Sequence, residues 1–246
     1  MKSYILLFTL FFVLISCKQE PSINAQSIID EAIVVAGGDK FNKFDLDFDF
    51  RGIHYKATRN NGKFSLERHI KDSLNIFKDI INNDGYKRYV NNYGIVVADS
   101  MVPRFIASVN SVHYFSVLPY GLNAPAVNKE YLGDKILKGK NYHKIRVTFN
   151  QQGGGEDFED VFTYWVNVES KKVDYLAYSY DEDDGKGLRF REAYNERIVE
   201  GIRFVDYNNY KPKDESVSVT SLDELFEQDK LKLLSKIELE NIRVKL

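Results

Sequence analysis

Four histidines, His54, His69, His113 and His143, are the residues of this 246-residue chain best suited to acid–base or metal chemistry. Their spacing supports neither directly. No His-x-His, His-Glu-x-x-His or matching short pattern occurs, so a metal site would need separate elements to converge. Each reads first as a surface or hydrogen-bonded residue, with His113, next to Tyr114 and Phe115, the least surface-like. Asp45, Asp47 and Asp49 alternate with apolar residues and share one strand face, where repelling carboxylates favour solvent first, with a calcium ion or a basic partner as the alternatives. Glu156 to Asp160 and Asp181 to Gly185 are acidic turns. The second has the start of a calcium loop, but its glycine falls one position early and no bidentate glutamate follows. Arg189 and Arg191 lie on one strand face with Arg203 on the next strand, a set that could pair with the acidic turns or meet a lipid headgroup or glycan carboxylate. Gly153-Gly154-Gly155 precedes no Lys-Ser/Thr pair, so it reads as a hairpin loop and not a phosphate cradle. No serine sits in a Gly-x-Ser-x-Gly elbow, and Cys17 is the only cysteine, which excludes an internal disulfide and a multi-cysteine zinc site. The expectation is a chain that is not an enzyme and has no metal or cofactor.

The composition agrees with a folded, uncharged-on-balance protein. Hydrophobic residues make up 43%, charged residues 28%, and the net charge is -2. That excludes a disordered chain and removes the electrostatic drive for nucleic-acid binding. Aromatic residues reach 14%, and all but one are Tyr or Phe, an excess that needs a structural reason.

The N-terminus speaks to location. Lys2 precedes an apolar run from Tyr4 to Ile15, which at 12 residues suits the core of a secretory signal and is short for a membrane-spanning helix. The run ends Leu14-Ile15-Ser16-Cys17. This resembles the lipobox of bacterial lipoproteins. The resemblance implies a signal peptide over 1–16, cleavage before Cys17, and acylation of its thiol (as by palmitate) and of its new amine. Several acyl chains anchor stably where one does not. Residues 17–23 then form a lipidated tether, and 24–246 a single domain. Lys18, where an Asp would signal inner-membrane retention, points to an outer membrane lipoprotein of the cell envelope, on its periplasmic or surface face. The membrane is the expected partner through this anchor, nucleic acid is not, and a monomer is expected.

The rest of the chain reads as α+β, mainly β. Ile28, Ile29, Ala32, Ile33 and Ala36 stripe a first helix capped by Ser22 or Asn24 and stopped by Gly37-Gly38. Phe44, Leu46, Phe48 and Phe50 then alternate in a strand that runs toward Thr58. Turns at Asn61-Gly62, Asn83-Asp84-Gly85 and Lys138-Gly139 separate further strands. A second helix with Pro103 in its first turn and Asp99 or Ser100 as cap should carry Phe105, Val109 and Val112 on one face. Thr220 to Glu224 resembles a capping box for a short third helix. Strand pairs Leu188–Asn195 with Ile198–Tyr210, and a terminal strand with a bulge at Asn241, complete about eleven or twelve strands in an antiparallel meander.

Several strands are apolar on both faces. Phe162, Tyr164 and Val166 oppose Trp165, and Leu176, Tyr178 and Tyr180 oppose Val173, Tyr175 and Ala177. Either layers cover both faces, or the sheet curls around a cavity. The stretches Ala25 to Gly38, Leu132 to Tyr142 (with Gly139-Lys140-Asn141-Tyr142) and Tyr164-Trp165-Val166-Asn167 resemble the lipoprotein-carrier (Lol-type) and outer-membrane lipoprotein-sorting proteins. The stretches Ser108 to Phe115, Leu118 to Leu122 and Phe190 to Asn195 resemble more closely a family of uncharacterised bacterial lipoproteins, a domain of unknown function. The carrier resemblance implies a curved antiparallel sheet, a half-barrel, wrapped around a few helices and an apolar cavity that accepts acyl chains. Its candidate lining is Trp165, Tyr164, Tyr178, Phe105 and His113. The expected function is non-catalytic binding of a lipid or other amphiphile in that aromatic cavity. The alternatives are a structural or partner-binding envelope lipoprotein with a closed core, or a hydrolase on the same scaffold.

Overall fold

A computed structural model describes residues 24–154, 158–182, 185–214 and 216–246. The Cys17 motif, Glu156, Asp157, Asp183 and Asp184 lie outside the described residues.

The chain opens with helix α1, Ala25–Ala36, whose buried Ile28, Ile29, Ala32 and Ala36 match the expected stripe. Of the two proposed caps, Asn24 does the work among the described residues: its side chain accepts from the Gln26 amide at 2.9 Å. Gly37 ends the helix at φ 156°, and a Cβ there would meet the Phe41 ring at 2.9 Å, so the stop needs glycine.

A meander follows: β1 Lys43–Phe50, β2 Ile53–Asn60, β3 Lys63–Lys71, β4 Ile76–Asn82, β5 Gly85–Val90 and β6 Tyr93–Ile95. Phe44, Leu46, Phe48 and Phe50 all point inward, as their alternation requires. The strand expected to run on toward Thr58 is instead broken by a tight turn, with Arg51 at φ 52° and Gly52 at φ 73°. The register confirms a hairpin there, pairing Phe50 with Ile53. Helix α2, Val102–Ser116, then packs against β3 and β4. Its N-cap is Met101, which makes no side-chain cap bond, so neither Asp99 nor Ser100 serves.

A second meander comprises β7 Val127–Leu137, β8 Lys140–Phe149, β9 Val161–Asn167, β10 Val173–Glu182, β11 Gly185–Val199 and β12 Ile202–Lys211. The expected break after Asn195 is a bulge between Tyr194 and Arg197, so β11 continues to Val199 and turns at Glu200-Gly201. Helix α3, Leu222–Glu227, comes next, and Ser221 makes no side-chain cap bond to it. The expected terminal strand is two, β13 Lys232–Ile237 and β14 Glu240–Lys245. The parity switch at Asn241 is a bulge, since Asp47 pairs with Arg243 but Asp49 with Glu240.

All neighbours are antiparallel. One sheet has the order β14-β1-β2-β3-β4-β5-β6, the other β13-β12-β11-β10-β9-β8-β7. The chain passes between the sheets twice, from the β6 edge to the β7 edge through the segment 96–126 that carries α2, and from the β13 edge to the β14 edge through the two residues Glu238 and Leu239. Among the described residues fourteen strands therefore stand where about eleven or twelve were expected: the hidden turn at Arg51-Gly52 and the divided terminal strand account for the surplus. The two sheets do not close into a barrel, as a half-barrel requires.

Two cores explain the two-faced strands. The larger fills the space between the sheets and around α1 and α2, with Phe41, Phe44, Phe48, Val109, Tyr164 and Phe204 among its members. The smaller lies on the outer face of the second sheet under α3, where Phe226 stacks on Phe190 with ring centroids 4.7 Å apart. A bulge at Asp174 shifts the pairing between Val173 and Tyr175 and puts Val173 in the larger core beside Leu176, not with Tyr175 as strict alternation predicts.

Candidate functional site

Helix α2 is tied to the first sheet on one side and faces the second across a gap. Arg68 on β3 donates to the Ser108 hydroxyl and, through Nε and Nη2, to Asp79 at 3.2 and 2.7 Å. Asp79 is fully buried and also accepts from the Tyr86 hydroxyl at 2.6 Å. Phe105 stacks on Tyr86 and lies 4.1 Å from the Arg88 guanidinium. Phe115 meets Phe50 edge-on at 5.4 Å. These contacts fix one face of the helix.

The other face of α2 and the inner face of the second sheet enclose a cavity of about 590 Å³. Ile106, Ala107, Asn110, Ser111, Tyr114 and Phe115 line it from the helix. Phe149, Phe162, Leu176, Tyr178, Tyr180 and Arg191 line it from strands β8 to β11. Gly154, Glu159 and Asp160, between β8 and β9, stand on its margin. The volume falls in the range of small-molecule sites. The wall is a ladder of rings across three strands. Phe149 and Phe162 lie 5.8 Å apart, Phe162 and Tyr178 5.3 Å, and Tyr178 and Tyr180 5.7 Å. Rigid rings of this size resist collapse into the space between them. Tyr114 closes the ladder from the helix, 5.9 Å from Phe162, and shares a 2.8 Å hydrogen bond with the Tyr164 hydroxyl. Burial holds both phenols protonated by raising their pKa values.

The five candidate lining residues go to three places. Tyr178 lies in the cavity wall. Tyr164 is fully buried behind it, joined through Tyr114. Trp165 points to the outer core, donating to Asp223 at 3.3 Å. Phe105 packs toward β5, away from the gap. His113 is 2% exposed between α2 and the first sheet, edge-on to Phe48 and Tyr55. Its Nε2 lies 3.0 Å from the Glu67 carbonyl oxygen; a carbonyl only accepts, so Nε2 carries the proton. Burial lowers the His113 pKa to about 4, against the raising effect of that hydrogen bond.

The buried imidazole makes folding stability depend on pH. The unfolded imidazole titrates near 6.5, so below that pH the unfolded chain binds a proton that the folded chain refuses. Stability present above about pH 6.5 is therefore lost progressively toward about pH 4. Between about pH 7.5 and about pH 5 this residue should remove about 2 kcal/mol, and His113→Gln should flatten that part of the curve. Urea unfolding of both proteins at the two pH values measures it.

The remaining histidines each meet a carboxylate, His54 and His69 half-buried and His143 buried. His54 Nδ1 lies 2.7 Å from Asp49 and its Nε2 3.2 Å from Asp47. His69 pairs with Glu67 at 2.8 Å and His143 with Asp134 at 2.6 Å. Asp49, His54 and His69 border a shallow groove, whose other members Gly52, Ile70, Lys71, Ile76 and Glu240 bring no hydroxyl or thiol nucleophile. Among the described residues, no three or more His, Cys, Asp or Glu side chains converge to hold a metal ion. The three arginines take separate partners. Arg203 binds Glu196 at 2.7 Å and the Val173 carbonyl at 3.1 Å, Arg189 lies over Tyr180, and Arg191 faces the cavity.

Of the strand residues lining the cavity, Phe149, Phe162 and Leu176 are not among the ligand contacts the sequence offers, whereas Arg191 is, in the arginine set able to meet a lipid headgroup. Strand parity carries the signal: all four share a face with Tyr164 or Tyr178.

A family model described as a family of unknown function, DUF6503, matches residues 2–239. No curated protein matches the chain. Among solved structures it is similar to a LolA-superfamily protein of Nitrosomonas europaea, with a TM-score of 0.51 at 10% identity, covering 92% of this chain and 95% of that one. A DUF1329-family protein of Desulfovibrio piger matches with a TM-score of 0.40 at 8% identity, over 90% of this chain and 93% of that one. A domain described as outer membrane lipoprotein-sorting, from Vibrio parahaemolyticus, matches with a TM-score of 0.42 at 8% identity, over 90% of this chain and 94% of that one. The LolA-superfamily likeness extends over nearly the whole of both chains and concerns the fold.

Proposed function

We propose, for a chain that belongs to the DUF6503 family and has a LolA-like curved-sheet fold, that it binds a lipid or other amphiphile without chemical conversion. One observation carries this reading. The cavity between α2 and the second sheet is walled by aromatic and aliphatic side chains from three strands and a helix, with Asn110, Ser111, Glu159, Asp160 and Arg191 as the polar side chains of its lining. An apolar wall of this kind favours an acyl chain over water by about 0.8 kcal/mol per buried methylene. The same reading places the protein in the bacterial envelope, held at the outer membrane by acylated Cys17. The apolar run before Cys17 and the Leu14-Ile15-Ser16 sequence support that anchor.

Two mass measurements test both parts. The chain from Lys18 onward, purified from a Gram-negative host, should carry a near-stoichiometric acyl-bearing adduct in gentle native mass spectrometry. Organic extraction should remove it. A clean mass from several gentle preparations would sink the carrier reading and favour a partner-binding role. Denatured full-length protein from the membrane fraction should begin at Cys17 and carry acyl mass there; an unmodified Cys17 would end the anchor reading.

A further inference from the structure

Arg191 is the cation among the described residues that line the cavity, and although Glu159 and Asp160 stand on its margin, no acidic side chain among the described residues pairs with it. It stands on β11 opposite Leu176 of β10, with its side chain in the cavity wall. Its guanidinium carbon lies 4.9 Å from the Tyr178 ring, 5.0 Å from Phe115 and 5.9 Å from Tyr207. Nη2 donates to the Tyr178 hydroxyl at 2.7 Å, while the buried Nε has no acceptor. Three other half-buried or buried arginines differ, while Arg59 resembles it in lying over a ring, that of Tyr120, with a buried Nε that has no acceptor. Arg68 pairs with Asp79, Arg197 with Asp206, and Arg203 with Glu196. No acidic residue among those described pairs with Arg191. Ring faces attract a cation, but they leave its donors unfilled. A charge held in a low-dielectric wall without an anion is costly, and an anion that enters the cavity recovers that cost.

We propose that Arg191 seats an acidic head group, a carboxylate or a phosphate, of an amphiphile whose acyl chain lies along the Phe149–Phe162–Leu176 wall. This rests on the amphiphile reading above and specifies it: the preferred ligand is anionic. The guanidinium fork matches both head groups, and the aromatic stack holds it in place before the ligand arrives.

The test uses the full chain in zwitterionic, steroid-based micelles, photolabelled with a diazirine-bearing palmitic acid. Palmitic acid, hexadecyl phosphate and hexadecanol compete for the label at a pH where the acids are ionised. In the native protein, label should map to cavity peptides, and the ratio of acid to alcohol potency is measured. In Arg191→Gln that ratio should fall by about tenfold or more, while hexadecanol competes as before. Arg191→Lys, which keeps the charge, should retain most of the preference. Which acid competes better in the native protein tells a carboxylate source from a phosphate source. An unchanged ratio with cavity labelling intact overturns the head-group assignment and leaves the amphiphile reading standing. Equal weakening of acid and alcohol in both variants makes Arg191 a structural residue and also overturns it. Absence of label from cavity peptides in the native protein removes both readings together.

Discussion

Replacing Asp206 with alanine is expected to cost about 3 kcal/mol of folding stability, the largest effect of any single substitution argued from this structure. Asp206 is 2% exposed and accepts four hydrogen bonds: from Arg197 Nη1 and Nη2 at 2.8 and 2.7 Å, Asn195 at 2.6 Å and the Leu239 amide at 2.9 Å. The bulge in β11 brings Asn195 and Arg197 to it, and Leu239 is half of the two-residue passage between the sheets. Arg197 also donates to the Leu239 carbonyl at 3.3 Å, so both polar groups of that backbone unit depend on the pair. Alanine leaves the guanidinium without an anion and the Leu239 amide without an acceptor. Because the Arg197 side chain is about a quarter exposed, water recovers part of the loss, which sets the estimate at the low end for such pairs. Burial raises the Asp206 pKa, but the Arg197, Leu239 and Asn195 hydrogen bonds outweigh it and the net shift is downward. A depressed carboxyl stabilises fully above its unfolded pKa, near 3.9, and the benefit is lost as pH falls through the folded value. Urea unfolding at neutral pH should show the full loss in Asp206→Ala, and the acid limb of its stability curve should be shallower than in the native protein. A loss within about 0.5 kcal/mol would mean that the passage holds itself without this carboxylate.

The second large effect concerns binding. Ala107→Trp should abolish amphiphile uptake, lowering affinity by about a hundredfold or more. Ala107 is half-buried on the cavity face of α2, with Ile106 and Asn110 as neighbours on the same wall. An indole there occupies space that the ligand needs and leaves untouched the Arg68, Ser108 and His113 contacts that hold the helix to β3. Folding stability should change by less than about 1 kcal/mol, because the new ring enters an existing cavity and displaces no packed side chain. Val34→Trp, at an exposed position on α1, is the matched control. Retained binding in Ala107→Trp would place the ligand somewhere else on the protein.

The sequence disclosed local structure well where one residue type decides the backbone. Asn61-Gly62 and Lys138-Gly139 turn because Asn61 and Lys138 take positive φ beside a glycine, and the alternation from Phe44 to Phe50 fixes an inward face. Arg51-Gly52 uses the same geometry as Lys138-Gly139, but strand-forming residues continue directly past it at Ile53 and Tyr55, so the turn was concealed. The pairing of β11 past Asn195 depends on partners in β12 that no local pattern reveals. The site was legible in kind and not in membership. The aromatic excess and two-faced strands pointed to an apolar space, yet Trp165 and Tyr164 are sequence neighbours on opposite faces of β9. Which face looks inward is settled only by α2 and α3, which cover one side each. His113 was singled out for its aromatic neighbours, and those neighbours bury it as a hydrogen-bonded core residue.

The passage at Glu238 and Leu239 gives the cavity a mechanical character. Among the described residues no strand of one sheet pairs with a strand of the other, while α2 is fastened to the first sheet and the facing wall belongs to the second. The two halves are valves of one shell, joined at one pair of edges by this two-residue ligament, at the other by the segment that carries α2, and packed against one shared core. Because every ladder bond lies within a valve, the angle between the valves, and with it the width of the gap, is set by side-chain packing and not by backbone pairing.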